Sequence, residues 1–319
     1  MASFYKKRNN LIFFSIIFLA LIILPNFLGY YQRYIIIEML IWGLYALGFD
    51  IILGYTGLLN FGMSSFFGIG TYGITLSVLR LHANLWLAIA ITILACIIFS
   101  LVYGFLVTRF GSHYFVVFTI VVSMILFFVA MNLRSITGGD EGLTFPVPPL
   151  TLGFVTLNLK NITVKYYFVL LICMLVLYLV WRFFESPYGK AIVAVRENED
   201  RARALGYNTA QLKLVSFTLS GTVAGIAGGL YALHIGFTSA PIFFWLLSGK
   251  AVMWTVVGGA GTLIGSFLGA GILVYAEDLI SSWNADIYPI IVGLILIIVI
   301  MLAPKGIMGA LKRLKKASF

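Results

Sequence analysis

Leu85-Trp-Leu-Ala-Ile-Ala-Ile-Thr-Ile-Leu-Ala-Cys-Ile-Ile-Phe-Ser-Leu-Val-Tyr-Gly-Phe-Leu-Val107 runs for 23 residues without one charged side chain. A helix of that length spans about 35 Å, enough to cross a hydrocarbon core about 30 Å thick. The run is continuous, whereas an outer-membrane strand alternates apolar and polar residues over about ten positions. The rest of the chain agrees. Its 319 residues could hold two soluble domains by length alone, but 61% are hydrophobic and only 10% charged. The mean hydropathy is +1.05. A soluble globule of that composition would expose most of its apolar side chains. The expected fold is all-α and polytopic, a single transmembrane domain over residues 1–319.

Apolar segments fall near residues 11–29, 34–53, 57–79, 85–107, 114–132, 165–184, 212–234, 242–258, 262–280 and 287–303. An even count of about ten puts both termini on one side. With the termini in the cytoplasm, 15 Lys and Arg lie inside and 5 outside, and Lys250 lies within a segment. The positive-inside rule therefore predicts cytoplasmic termini, an outer loop at 134–163 and an inner loop at 185–211. The net charge of +10 then reports orientation rather than a nucleic-acid partner. Lys6, Lys7 and Arg8 precede the first apolar run without a small-x-small cleavage site before Pro25, so that run reads as a retained helix.

Two stretches are rich in glycine. Gly54–Gly73 holds six (54, 57, 62, 68, 70 and 73), and Gly258–Gly271 holds six more. Such density permits broken or re-entrant helices, which survive only under a cover of protein or a water-filled cavity. Paired Gly-interrupted segments in two halves of a chain point to a transporter's pathway. Close helix packing explains the same glycines equally well. The candidate path residues are Gly54, Gly57, Asn60, Gly62, Gly258, Gly259 and Gly261. The ladders Gly221/Gly225/Gly229 and Gly261/Gly265/Gly269 repeat every four residues, suiting close approach of helices within the chain or against a partner.

The sequence has no G-x-x-x-x-G-K-[ST], no H-E-x-x-H, no CxxC and no G-x-S-x-G. It therefore reads as neither a nucleotide-binding protein nor an enzyme, and no cofactor or metal is expected in this chain. His82, His113 and His234 fall at predicted membrane edges, and Cys96 and Cys173 lie in apolar segments as lipid-facing or core thiols. Glu38, Asp50, Lys250, Glu277 and Asp278 lie within spans, where ionisable groups are costly. Most sit near enough to an edge to snorkel. Lys250 is the deepest, a candidate to face the pathway or an acidic partner.

The inner loop is the most informative. Arg196-Glu-Asn-Glu-Asp-Arg-Ala-Arg-Ala-Leu-Gly206 reads as a short capped helix. Asn198 is its N-cap, Glu199 and Asp200 complement the dipole, and Gly206 ends it. Asn208 and Gln211 open the next span. A mixed-charge helix with Ala202 and Leu205 on one face suits docking onto a soluble cytoplasmic partner. The coupling candidates are Arg196, Glu199, Asp200, Ala202, Leu205 and Gly206.

The run Ser186-Pro-Tyr-Gly-Lys-Ala through Ala204-Leu-Gly-Tyr-Asn-Thr209 resembles the coupling loop of bacterial ABC importer permeases, in particular the branched-chain amino acid permeases of the LivM type. Gly54-Tyr-Thr-Gly-Leu-Leu-Asn-Phe-Gly62, Thr137-Gly-Gly-x-x-Gly-Leu143 and Val257-Gly-Gly-Ala-Gly-Thr262 resemble further motifs of that family, in its order. One position departs: Arg201 stands where the usual E-A-A-x-x-x-G pattern has its first alanine. The resemblance implies an importer permease fold in the bacterial cytoplasmic membrane. It implies as partners a related permease of the LivH type, two cytoplasmic ATPases that bind the ATP and Mg, and an extracytoplasmic amino-acid-binding protein. A urea or short-chain amide permease is the nearest alternative, and a stand-alone secondary transporter is the alternative from another class.

Overall fold

The computed structural model describes residues 21–110, 112–152, 155–282, 290–291, 293–294, 297–298, 301 and 306–310. Most of the segments expected at 11–29 and 287–303, with the terminal Lys and Arg clusters, lie outside the described residues. Helix α1 (Tyr30–Asp50) continues through a wider π-type turn, Ile51–Tyr55. After a non-helical stretch come α2 (Met63–Leu81), α3 (Leu85–Val107) and α4 (Ser112–Asn132). The chain then forms α5 (Ile162–Glu185), two short helices α6 (Pro187–Glu197) and α7 (Glu199–Ala204), and α8 (Thr209–Ile235). Two more, α9 (Leu246–Gly258) and α10 (Leu263–Ser281), form a hairpin.

Among the described residues six helices are long and apolar enough to cross a membrane, so the count of about ten spans was loose. Of the four remaining segments, two lie mostly outside the described residues, and the structure accounts for the other two. The one expected at 242–258 is a 3-10 turn, Ala240–Phe243, followed by the 13-residue α9, only about 20 Å long. The one expected at 57–79 begins later, at Met63. Helix α2 has 19 residues but is not among those six. Its Ser, Thr and Gly residues face protein, where lipid sets no demand for apolarity.

Helix α2 packs between α8 and α3, and α1 is enclosed by α5, α8, α9 and α10. Glycine makes the α2–α8 contact possible: a Cβ at Gly70 would strike the Gly225 carbonyl, and one at Gly228 the Phe67 carbonyl. The first ladder, Gly221/Gly225/Gly229, faces Phe66, Cys96 and Ile74 of this chain. In the second ladder Gly265 and Gly269 meet α9 at the carbonyls of Gly258 and Trp254. Both therefore serve intrachain packing. Buried hydroxyls fix the start of α2: Ser64 Oγ lies 2.7 Å from Ser123 Oγ, and the Ser64 N–H donates to Ser248 Oγ at 2.9 Å. Cys96 and Cys173 are both buried core thiols.

The loop over residues 134–163 is turn-rich, in keeping with its Gly and Pro content. A helical turn at Arg134–Thr137 precedes β1 (Leu143–Thr144), and β2 (Leu150–Leu152) and β3 (Val155–Leu157) form a hairpin. Strand β1 pairs antiparallel with β4 (Phe237–Thr238), Leu143 opposite Thr238.

Candidate functional site

The loop over residues 185–211 folds as two capped helices. The Ser186 side chain accepts from Gly189 N–H at 3.3 Å to open α6, and Pro187 occupies its first position. Sequence reasoning missed α6, although Ser followed by Pro is a start signal: hydroxyl cap, then a ring that needs no N–H partner. The Asn198 side chain accepts from Arg201 N–H at 2.8 Å and opens α7. At the other end Gly206 has φ +88°. Its N–H donates to the Arg203 carbonyl at 3.0 Å and that of Tyr207 to the Ala202 carbonyl at 3.2 Å. This paired closure needs the left-handed conformation that glycine adopts without penalty. Asn208 caps α8 through Gln211 N–H at 3.1 Å.

The coupling candidates divide into outward and inward groups. Leu205 is 73% exposed and Tyr207 beside it is exposed too; the sequence reading singled out only Leu205. Asp200 is 93% exposed. Ala202, expected to enter a partner's cleft with Leu205, is instead 3% exposed and packed within this chain. A six-residue helix has room for one apolar face, and α7 turns its own toward α6 and α8. Glu199 also turns inward, bonded to Lys213 Nζ at 2.5 Å and accepting from Arg203 at 3.1 Å. Partial burial pushes the Glu199 carboxyl up, but the Lys213 hydrogen bond and charge outweigh it. The group therefore lies below the ordinary carboxylate range. Arg196 reaches the other way, donating to the Gly54 carbonyl.

The candidate path residues meet each other rather than open space. A Cβ at Gly54 would strike Asp50 Oδ1 and the Gly261 nitrogen, and one at Gly258 the Gly265 carbonyl. Gly62 sits 2.7 Å, by the same measure, from Thr119 O and Tyr103 Oη. Gly57 lies under Arg196, and Gly259 against Gly306. Asn60 is fully buried, accepting from Gly62 N–H at 2.8 Å. Both stretches are helix breaks in which these glycines pack against neighbouring groups, with Gly57 and Ala260 left exposed. The broken-helix and close-packing readings hold together.

Four of the five ionisable groups expected within spans have partners in this chain. Lys250 Nζ lies 2.8 Å from Glu277 Oε1, and Tyr31 donates to Asp278. Asp50, expected near an edge, is fully buried and accepts Gly261 N–H at 2.7 Å. His234, expected at the interface, is buried with its ring 4.4 Å from that of Tyr34. The His113 side chain lies outside the described residues.

Several membrane-crossing helices, two glycine-lined breaks and a paired helical loop define a multi-pass membrane protein of the permease class. The family model described as "Branched-chain amino acid transport system / permease component" matches residues 32–301. The chain belongs to that family. It is 28% identical over 284 residues to the high-affinity branched-chain amino acid transport system permease protein LivM of Escherichia coli K12, covering 82% of this chain and 66% of that protein. It is 26% identical over 286 residues to LivH of Salmonella typhimurium, covering 84% and 91%. A shorter match, 31% over 138 residues, is to the autoinducer 2 import system permease protein LsrC of Escherichia coli O9:H4, covering 40% and 39%. The chain thus spans about two thirds of the length of LivM. No solved structure matches it.

Proposed function

We propose that this chain is a membrane-spanning permease subunit of an ATP-driven importer for branched-chain and other hydrophobic amino acids. The observation that carries the proposal is the family match over residues 32–301. In this reading the chain forms part of the translocation path with a second, related permease. Two cytoplasmic ATPases bind the ATP and Mg, and an extracytoplasmic binding protein delivers the amino acid. Exposed Leu205, Tyr207 and Asp200 on and beside α7 would meet an ATPase. Much of the specificity then resides in the binding protein, because an aliphatic substrate needs a largely apolar route.

The test is transport by the complete complex in liposomes. ATP-dependent accumulation of leucine, isoleucine or valine, each competing with the others, is the expected result. Accumulation of urea or acetamide in their place would move the chain to an amide permease. Uptake that follows an ion gradient without ATP would remove it from the importers altogether.

Orientation can be checked separately. Asp200 and Glu141 are both exposed, so cysteine at either position disturbs little. In intact cells an impermeant thiol reagent should label Glu141→Cys and leave Asp200→Cys unmodified until the membrane is opened. Opposite labelling would invert the topology.

A further inference from the structure

Three segments far apart in sequence meet at one point. The carbonyl of Gly54 lies in the turn that ends α1, where helix geometry leaves acceptors without intrahelical donors. Arg196, in the last turn of α6, supplies one through its guanidinium. The stem of the same side chain crosses Gly57: a Cβ there would lie 3.1 Å from Arg196 Cγ. Its Nη1 also borders the second glycine stretch, 3.4 Å from where a Cβ of Gly261 would stand. The two stretches are joined beneath it, since Asp50 Oδ1 accepts Gly261 N–H at 2.7 Å. No side chain larger than hydrogen fits at Gly54 between that carboxylate and Gly261. The helix pair of the inner loop thus bears on both helix breaks through one residue.

We propose that Arg196 is a positioning residue that transmits displacement of α6 and α7 to both glycine breaks, with Asp50 locking the two breaks to each other. The proposal rests on the coupling role given above to α7. It removes Arg196 from the docking surface and gives it an inward task. Arginine suits the task because its planar fork can hold a backbone carbonyl while the charge stays at the loop surface. Both breaks then respond to one movement.

The test compares the complete complex in lipid nanodiscs with Arg196→Met, which keeps the stem over Gly57 and loses every donor, and Arg196→Lys, which restores one. Three readouts are taken: ATPase retained, leucine moved per ATP hydrolysed, and amide hydrogen exchange at residues 54–62 and 259–262. Arg196→Met should retain the ATPase at the unmutated stoichiometry while leucine moved per ATP falls tenfold or more. Exchange should rise in both glycine segments together. Arg196→Lys should recover coupling to within threefold. If Arg196→Met fails to accumulate, Arg196→Gln is read by the same criteria. Loss of the ATPase with unchanged exchange would return Arg196 to the docking surface and overturn the joint. Unchanged coupling with unchanged exchange would overturn it equally. If the unmutated complex moves no leucine with ATP, the importer reading falls on its own. The exchange comparison still decides the joint: no rise in either segment ends it.

Discussion

Leu205→Asp should strip the ATPase from a complex purified through this subunit, and uptake should vanish with it. The side chain is 73% exposed and closes no part of the chain's own core, so membrane insertion and thermal stability should be unchanged. Placing a carboxylate in an apolar cleft without a partner costs several kcal/mol. Each ~1.4 kcal/mol is a tenfold loss of affinity, so retention should fall by tenfold or more. Gly206→Val tests the same contact through the backbone. Nothing lies within 4 Å of a Cβ at Gly206, so the whole effect is conformational, about 1–2 kcal/mol for a left-handed residue. Gly206→Asn, which tolerates that conformation, should retain function. If Leu205→Asp and Gly206→Val both keep the ATPase and transport normally, α7 is a passive connector.

Gly258→Ala should be a folding lesion, the severest expected from a single methyl group among the described glycines. The new carbon would strike the Gly265 carbonyl, and the next nearest atom beyond that peptide is the Gly269 nitrogen. Both obstacles are backbone atoms of α10, so neither can rotate away. Overpacked cores typically lose about 1–3 kcal/mol, and rigid obstacles place this variant at or above the upper end. Gly249→Ala, in the same helix, meets nothing within 4 Å. It should be neutral, or gain about 0.5–1 kcal/mol from lost backbone freedom in the unfolded chain. Thermal stability of the two solubilised variants gives the comparison. A Gly258→Ala protein as stable as Gly249→Ala would show that the α9–α10 hairpin opens to accept a side chain.

The contrast between these glycines shows where sequence reading stops. Gly258 and Gly249 look alike in an apolar run, and only the neighbouring helix distinguishes them. The same holds in the inner loop. Capping is local, so Asn198, Gly206 and Asn208 could be placed from the chain alone: each bonds within three or four residues. Ala202 and Leu205 share a helix face by spacing, yet one is buried and the other exposed. Their difference follows from where α7 ends: Ala202 lies within it, whereas Leu205 is the residue that caps its C-terminus. Arg196 reads as one of the coupling residues of the loop surface until Gly54, 142 residues earlier, is brought beneath it.

By itself the sequence determined the solvent of this protein, the expected side of its loops and the ends of the short helix α7. Each depends on composition or on hydrogen bonds between near neighbours, and both are written along the chain. Tertiary structure alone decided that α2 is protein-enclosed despite its polar content, that α9 is too short to span, and that Asp50 is a buried acceptor rather than a snorkelling edge residue. It also decided that two glycine stretches and Arg196 form one joint. Those facts depend on which backbone approaches which across the membrane. Glycine permits such an approach anywhere it occurs; only the packed partner says where it is used.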